Sequence, residues 1–298
     1  LREKVSYTRP RFTYAMPKTG YYFDTLHRWG REPFPLSRVK SVKDVEDYDW
    51  DRWKVRDEYV ESLRKKAEYL YRNTEYGLMF SPWIALHEWA QFYLVGWTEW
   101  LVMLKTRRAI AEAILDHMVE VVRYNVKKYV DALKDYVHVI RFSDDLGTEE
   151  RPQISVKDFR EFYKHRWEEI FGYVKKHSKM FVFFHSCGSI FPLIKELVDA
   201  GIDVINPVQI SAKNMDPIKL KEAYGDQVTF WGGLDTQHVL PIATPEEVSE
   251  HVKKLLKTLA PGGGYVFASV HNIQPNTPAE NILVAFKTAY EYGKYPIG

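Results

Sequence analysis

Polar and ionisable side chains follow five short apolar segments of this chain. The five polar loops are residues 143–147, 185–188, 206–209, 232–237 and 271–274. If the apolar segments are parallel strands of one barrel, their carboxyl ends meet at one mouth, where such barrels carry their catalytic residues. The loops therefore predict a single site. Its candidate catalytic residues are Asp144, Asp145 and Asp235, and its candidate substrate-binding residues are Asn206, Gln209, Gln237 and Gln274.

His185 and Cys187 place an imidazole and a thiol two positions apart at the end of a predicted strand. Side chains at i and i+2 lie on one face of an extended chain, so the pair is suitably spaced for Zn²⁺. His271 is the candidate third ligand, with Asp235 next. Three protein ligands and an open position are typical of catalytic zinc. A helix that starts at residues 188–189 would favour the Cys187 thiolate, because the positive end of its dipole would lie nearby.

Each of these residues also has a purely structural interpretation. A neighbouring His and Cys are more often a buried packing pair than a metal site, since free Cys is among the most buried residue types. The three aspartates can equally cap the turns that follow strands. An aromatic cluster, which we assign to the core, comprises Trp83, His87 and Trp89.

The elements that must position the site are short strands alternating with longer helices. The predicted strands are residues 76–83, 136–143, 180–185, 202–206, 227–233 and 265–270. Residues 107–133 form a predicted helix, because their apolar positions recur every three or four residues. Helix starts are predicted at Thr244-Pro245 and Thr277-Pro278, which each offer a capping hydroxyl followed by Pro. Weaker start signals are Ser155 with Asp158, and Asp216 before Pro217.

This alternation predicts parallel strands that are buried on both faces. No Gly-x-Gly-x-x-Gly fingerprint follows a strand, so we prefer a (β/α)₈ barrel to a doubly wound sheet. We treat residues 1–298 as one barrel domain, in which residues 1–75 form an irregular N-terminal segment. Only six strands are identifiable and the sequence does not begin with Met, so the first strand or strands of the barrel are expected to be lacking. Residues 7–23 are predicted to pair as an extended ribbon.

A barrel that lacks its first strands would expose a sheet edge, and exposed edges pair with other chains. We expect residues 1–23 or a second subunit to cover that edge, so a homo-oligomer is one consistent assembly.

Composition and charge exclude several classes of protein. Hydrophobic residues make up 45% of the 298 residues and charged residues 28%, which is the balance of a globular protein. Lys and Arg number 42 against 40 Asp and Glu, and they are scattered, so no nucleic-acid surface is indicated. The most apolar long stretch, residues 92–104, is broken by Glu99, and no signal peptide is visible, so no membrane association is predicted. With Cys187 as its single cysteine, the chain fits a reducing cytoplasm.

Residues 142–295, and less sharply residues 14–142, resemble the uroporphyrinogen decarboxylase superfamily, and within it the zinc- and corrinoid-dependent methyltransferases. The motifs that carry the resemblance are Asp144-Asp145-Leu146-Gly147, His185-Ser186-Cys187-Gly188, and residues 201–209, 232–237 and 271–275. The superfamily fold is a (β/α)₈ barrel. Its methyltransferase branch holds zinc with a His-x-Cys pair after one strand and a third residue, commonly Cys, after the last strand. The resemblance thus implies His185 and Cys187 as zinc ligands, with His271 at the third place.

The resemblance implies a methyltransferase that moves a methyl group between a small methylated compound and a corrinoid carried on a separate protein. Asp144, Asp145, Gln209 and Asp235 would position the substrate through hydrogen bonds. Two imidazoles and one thiolate would leave a bound zinc ion about one positive charge, which favours an oxygen leaving group, as in a methyl ether.

Two other functions remain open. One is a uroporphyrinogen decarboxylase that acts on a tetrapyrrole; such members of the superfamily need no metal and bind substrate carboxylates through arginines near the N-terminus. No segment of the Arg-Gln-Ala-Gly-Arg type is present here. The other is a non-catalytic barrel subunit that binds a partner.

Overall fold

The computed structural model describes residues 34–297 and two short strands near the N-terminus, β1 (Tyr14–Ala15) and β2 (Asp24–Thr25). These two strands pair in antiparallel orientation. The remainder of the predicted ribbon of residues 7–23 lies outside the described residues, as does the predicted covering of the barrel edge by residues 1–23. Within the segment 1–75, two helices are described, α1 (Val42–Glu46) and α2 (Asp57–Asn73).

Six parallel strands form one sheet in the order in which they occur along the chain. They are β3 (Met79–Phe80), β4 (Val139–Ser143), β5 (Phe181–His185), β6 (Val204–Asn206), β7 (Thr229–Leu234) and β8 (Tyr265–Ser269). Sequential order with parallel neighbours is the arrangement of a (β/α)₈ barrel, whereas a doubly wound sheet reverses its strand order partway. The predicted barrel class is therefore confirmed for these six strands, each of which overlaps its predicted segment.

Helices connect the strands and cover the outer face of the sheet. The remaining α-helices are α3 (His87–Trp89), α4 (Trp97–Thr106), α5 (Arg108–Leu133), α6 (Val156–Asp158), α7 (His165–His177), α8 (Phe191–Ala200), α9 (Pro217–Tyr224), α10 (Pro245–Leu259) and α11 (Ala279–Tyr292). In the part of the chain that the structure describes, no helix combines the length and the apolar character needed to cross a membrane.

Most of the predicted helix starts are confirmed. The hydroxyl of Thr244 accepts a hydrogen bond from the backbone N–H of Glu247, whose side chain in turn accepts from Thr244 N–H. Asp216 caps α9 by accepting from two backbone N–H groups. The predicted cap at Thr277 is wrong: α11 begins one residue later, with Pro278 at its N-cap position. The Thr277 hydroxyl is buried and has no hydrogen-bond partner among the described residues.

Aromatic packing between α7 and the sheet fixes the strands that carry the site. Trp167 and Phe171 of α7 stack with ring centroids 5.1 Å apart. Their rings meet Phe142 of β4 and Phe184 of β5 at centroid distances of 5.2 to 6.0 Å. All four side chains are fully buried, and each such burial contributes about 1.5–3 kcal/mol. The residues that alternate with Phe142 and Phe184 therefore face the barrel interior.

Candidate metal centre and the cavity beside it

The register of three neighbouring strands brings polar side chains to one level at the carboxyl end of the sheet. Ser143, the last residue of β4, pairs with His185 of β5, and His185 pairs with Asn206 of β6. Asp145 and Cys187 lie two residues beyond Ser143 and His185, so they continue the same inward-facing rows. A site at this level therefore follows directly from strand register.

Asp145, His185 and Cys187 form a cluster whose potential metal-ligating atoms all lie within 4.8 Å of one another. Nε2 of His185 is 3.5 Å from Sγ of Cys187 and 3.6 Å from Oδ1 of Asp145. Asp145 Oδ1 also accepts a hydrogen bond of 2.9 Å from the backbone N–H of Cys187. This bond joins the two loops that supply the cluster.

The distances in this cluster fit a tetrahedral zinc ion. Bond lengths of about 2.0–2.3 Å place tetrahedral ligand atoms about 3.3–3.8 Å apart, which includes both His185 separations. Thiolate, imidazole and carboxylate are the three ligand types that zinc accepts in proteins. The residues present therefore fit this metal, with Asp145 beside the predicted His185 and Cys187.

His271 lies on the wall of the same cavity but outside this cluster. Its side chain is exposed, and its charge contributes to lowering the pKa of His185, after burial and the charge of Arg141. Among the described residues, the structure groups Asp145 with His185 and Cys187, whereas the sequence favoured His271 as the third member. Asp235, the next candidate for that position, is not in the cluster.

Burial sets the protonation states of both cluster residues on β5 and its loop. Burial and then the nearby charge of Asp145 raise the pKa of the Cys187 thiol. The expected lowering by a helix dipole is wrong, because α8 begins only at Phe191 and burial dominates. Burial also lowers the pKa of His185, opposed by the charge of Asp145. Without a metal, the pair is therefore a neutral thiol and a neutral imidazole.

Asn206 orients the imidazole of His185. Its side-chain amide donates a hydrogen bond of 2.9 Å to the backbone carbonyl of Trp231, so its Oδ1 faces Nδ1 of His185 and accepts from it. Nε2 of His185 is then the unprotonated nitrogen and points at Cys187 and Asp145. Asn206, predicted to bind substrate, lines the cavity, but its amide oxygen is engaged by His185 and its amide nitrogen by the carbonyl of Trp231.

A cavity of about 660 Å³ opens beside the cluster. Its volume lies within the usual range for small-molecule sites, about 300–1,000 Å³. Five predicted site residues line it, namely Asp145, His185, Cys187, Asn206 and His271. Trp83 is 38% exposed and lines the cavity as well, so its predicted place in the core is wrong.

Glu88 is a cavity residue that the sequence did not single out. It is only 6% exposed, and its Oε2 accepts a hydrogen bond of 2.6 Å from the hydroxyl of Ser143. Burial and then the charge of Asp145 raise the pKa of Glu88 to about 7. The cavity thus contains a carboxyl group that changes charge near neutral pH.

Arg141 is the second cavity residue that the sequence did not single out. It occupies an inward-facing position of β4, two residues before Ser143 and hence deeper in the barrel. Burial lowers the pKa of its guanidinium, and the charges of Glu88 and Asp145 raise it. A charged residue in the middle of an apolar strand was the available sequence signal.

Asp144 and Asp235, two of the predicted catalytic residues, are not among the residues that line the cavity. Asp144 is fully buried and accepts hydrogen bonds from the backbone N–H groups of Leu86 and Glu88 at 2.9 to 3.2 Å. Burial and then the charge of Glu88 raise its pKa well above the ordinary value. Asp235 accepts from the N–H groups of Gln237 and His238 at 2.7 and 2.9 Å. Both aspartates therefore stabilise backbone turns.

The glutamines predicted to bind substrate are not among the residues that line the cavity, and two of them connect loops to one another. Gln209 accepts from Gly188 N–H at 2.8 Å and donates to Glu149 at 2.8 Å. Gln237 donates to the same Glu149 oxygen at 3.0 Å. Gln274 donates to the backbone carbonyl of Asn272 at 2.9 Å. These bonds hold the mouth of the barrel together.

Two glycines allow the loops of Asp145 and Cys187 to approach each other. A Cβ on Gly147 would lie 2.6 Å from the carbonyl oxygen of Cys187. Gly188 has a φ of +86°, and a Cβ there would lie 2.6 Å from the carbonyl carbon of Gly147. Only glycine fits this contact without displacing backbone.

Comparison with protein families gives one match over most of the chain. The family model of uroporphyrinogen decarboxylase (URO-D) matches residues 28–292. Curated uroporphyrinogen decarboxylases from three strains of Coxiella burnetii are each 40% identical to this chain over 68 residues. That alignment spans 23% of this chain and 18% of the length of those relatives.

Two solved structures resemble the chain at low sequence identity. A methyltransferase from Methanosarcina mazei superposes with a TM-score of 0.64 at 18% identity, over 95% of this chain and 76% of its own. A B12-independent methionine synthase from Shewanella sp. W3-18-1, in complex with selenomethionine, gives a TM-score of 0.45 at 14% identity, over 77% and 67% of the two chains. The first likeness shows the fold.

Proposed function

The chain belongs to the uroporphyrinogen decarboxylase family, and from that premise we propose that it is a zinc-dependent methyltransferase. Its reaction would move a methyl group between a small methylated compound and a corrinoid held by a partner protein. The observation that carries the proposal is the cluster of Asp145, His185 and Cys187 beside a 660 Å³ cavity. The fold shared with a protein described as a methyltransferase also supports it.

The three cluster residues would hold the zinc ion, and Asn206 would keep His185 in the ligating tautomer. When bound, zinc supplies Lewis acidity toward the heteroatom that carries the methyl group. The side chains of His185 and Asp145 are 19% and 36% exposed, so the cluster can be reached from the mouth of the barrel. A reduced corrinoid on the partner would approach from that side and supply the nucleophile.

The chemistry of the ligand set favours an oxygen leaving group. Asp145 and Cys187 contribute two negative charges and His185 none, so the ligands balance the charge of Zn²⁺. Only one of the three is a soft sulfur ligand, and harder ligands suit oxygen chemistry better than a second thiolate would. We therefore propose a methyl ether as the donor. A single cysteine that serves as a free thiol is compatible with the predicted cytoplasmic location.

The test is a methyl-transfer assay with metal analysis. Purified protein should contain about one zinc per chain and should methylate free cob(I)alamin from an aryl methyl ether, a change visible in the absorption spectrum of the cobalt. Chelation should abolish transfer, and added zinc should restore it in wild type but not in Cys187→Ser.

The alternative activity is checked in the same preparation. The family match and the Coxiella relatives favour decarboxylation of uroporphyrinogen as the second candidate. Release of CO₂ from uroporphyrinogen by protein stripped of zinc would contradict our proposal. An inactive chain that forms a stable complex with another barrel protein would instead support a non-catalytic subunit.

A further inference from the structure

Arg141 carries a positive charge inside the barrel, and no residue in the described part of the chain neutralises it directly. Its side chain is half-buried on the inward face of β4. Enclosing a charged group away from water is unfavourable unless the group is paired and hydrogen-bonded. A guanidinium offers five N–H donors, which require acceptors from protein, water or ligand.

The described residues of the chain supply none of those acceptors. Among residues 34–297, no carboxylate lies within ion-pair distance of Arg141, and its guanidinium donates no hydrogen bond to a protein atom. The nearest acidic groups act on it only through longer-range charge interactions, Glu88 most strongly. Glu88 itself is engaged by the hydroxyl of Ser143. The donors of Arg141 are therefore available to a molecule in the cavity.

We propose that Arg141 binds a carboxylate group of the substrate, so that the methylated compound is a small aromatic carboxylic acid. The proposal rests on the proposed function for the place of the methyl group, at the Asp145, His185 and Cys187 cluster. Arg141 lies one inward-facing position deeper than the strand level of His185, so the acid would point into the barrel and the methyl group toward the mouth. A planar guanidinium binds a carboxylate through two parallel hydrogen bonds.

The rest of the cavity narrows the class of ligand. Trp83, Val270 and Ile273 give the wall an aromatic and aliphatic surface, which suits a ring. Glu88 and Asp145 line the same cavity as the guanidinium of Arg141. Two acidic neighbours would repel the second charge of a phosphate ester, whereas a carboxylate carries only one. A monoanionic aromatic acid therefore fits better than a phosphorylated compound.

The experiment measures binding rather than turnover. Benzoate and its neutral analogue benzamide would be titrated calorimetrically into zinc-loaded and zinc-stripped protein. Wild type should bind benzoate at least about tenfold more tightly than benzamide in both forms. Arg141→Met should abolish that preference, and Arg141→Lys should retain part of it. Arg123→Met, which removes an arginine paired with Glu169 at the surface, should leave the preference unchanged.

Each outcome decides the role of Arg141. Equal affinities for the two probes in wild type, or a preference that survives Arg141→Met, would overturn the proposal. A preference that is lost in zinc-stripped protein and in Cys187→Ser would place benzoate on the metal and would also overturn it. If methyl transfer is not observed while the preference for benzoate depends on Arg141, the carboxylate site is supported and the proposed methyltransferase activity is contradicted. Thermal unfolding tests whether the Met and Lys variants are folded. If Arg141→Met is not folded, the preference for benzoate over benzamide is compared between wild type and Arg141→Lys alone.

Discussion

Asn206 accepts a hydrogen bond from Nδ1 of His185, and this contact fixes the ring nitrogen that faces Cys187 and Asp145. The two residues pair across β5 and β6, so backbone register and side-chain contact reinforce each other. Partners of this kind raise the basicity of a ligating imidazole and hold its orientation.

We predict that Asn206→Leu weakens zinc binding by about 10–100-fold, the usual effect of removing a partner that orients a metal ligand. The leucine has similar volume but cannot accept from Nδ1, so the imidazole can rotate or change tautomer. Competition with a chromophoric chelator measures the affinity. Asn272→Leu alters another amide at the cavity and serves as the matched control. Equal affinities in wild type and Asn206→Leu would show that the contact does not support a metal ligand.

The second prediction concerns the third ligand. Asp145→Asn should weaken zinc binding by at least about 100-fold, because loss of a direct ligand exceeds the effect of losing its hydrogen-bond partner. Asparagine still accepts from Cys187 N–H, so the loop contact of 2.9 Å is retained. His271→Asn should change the affinity little. The opposite order of effects would return His271 to the ligand set and remove Asp145 from it.

The sequence predicted the barrel because short apolar segments that alternate with longer amphipathic segments are a local property of the chain. It could not separate Asp144 from Asp145 without the strand register. Adjacent residues of an extended chain point to opposite faces, and only Asp145 shares the face of Ser143. The carboxylate of Asp144 instead meets Leu86 and Glu88, a contact that forms only when distant segments fold together.

On β4, polar residues occupy every second position, and the burial of the intervening residues assigns the face on which they lie. Arg141, Ser143 and Asp145 alternate with the buried Ile140 and Phe142, which marks the polar set as inward-facing. That alternation is the sequence signal for Arg141. Glu88 had no comparable signal, since it lies in the short helix α3 after β3, whose start is held by the hydrogen bonds that Asp144 accepts from Leu86 and Glu88.

The third prediction tests the close approach of the two site loops. Gly147→Ala should lower the free energy of unfolding by about 1–3 kcal/mol, the usual effect of overpacking, and should also weaken zinc binding. The added methyl would displace the loop of Asp145 from the carbonyl of Cys187. Gly172→Ala on α7 meets no atom within 4 Å and should stabilise the helix by about 0.5–1 kcal/mol. Urea unfolding and chelator competition measure the two effects. Unchanged zinc affinity in Gly147→Ala would show that the loop contact does not position the ligands.

The fourth prediction concerns a buried histidine outside the cavity. His87 is fully buried, accepts at Nε2 from Gln91 and contacts the hydroxyl of Tyr163 through Nδ1 at 2.8 Å. The Gln91 atom that faces His87 is the amide nitrogen, because the same atom donates a hydrogen bond to the side-chain oxygen of Gln153. Burial lowers the pKa of His87 to about 4, from an ordinary value of 6.5.

The sign of the pH effect follows from proton uptake. The unfolded chain protonates this histidine below pH 6.5, whereas the folded protein does so only near pH 4, so acid favours unfolding between these values. At pH 4.5 the loss should be about 2–3 kcal/mol relative to pH 7. His87→Gln should remove this part of the pH dependence, and His177→Gln, which removes an exposed imidazole, should not. Identical pH profiles of unfolding free energy in wild type and His87→Gln would contradict the assignment.

The last prediction links the chemical character of the third ligand to the choice of substrate. Asp145→Cys exchanges one anionic ligand for another, so the charge around a bound zinc ion is unchanged while a hard oxygen is replaced by a soft sulfur. The ratio of the methyl-transfer rate from an aryl methyl ether to that from a methyl thioether should then fall, by about tenfold if the two barriers shift by 1.4 kcal/mol relative to each other. Both rates would be measured with free cob(I)alamin as the acceptor, at equal zinc occupancy of wild type and variant. His271→Cys is the matched control, because its new thiol would lie on the same cavity wall but outside the cluster, and it should leave the ratio as in wild type. If the rate ratio changes in His271→Cys and not in Asp145→Cys, the residue after β8 governs the metal. If the ratio is unchanged in both variants, the third ligand does not determine the choice between oxygen and sulfur.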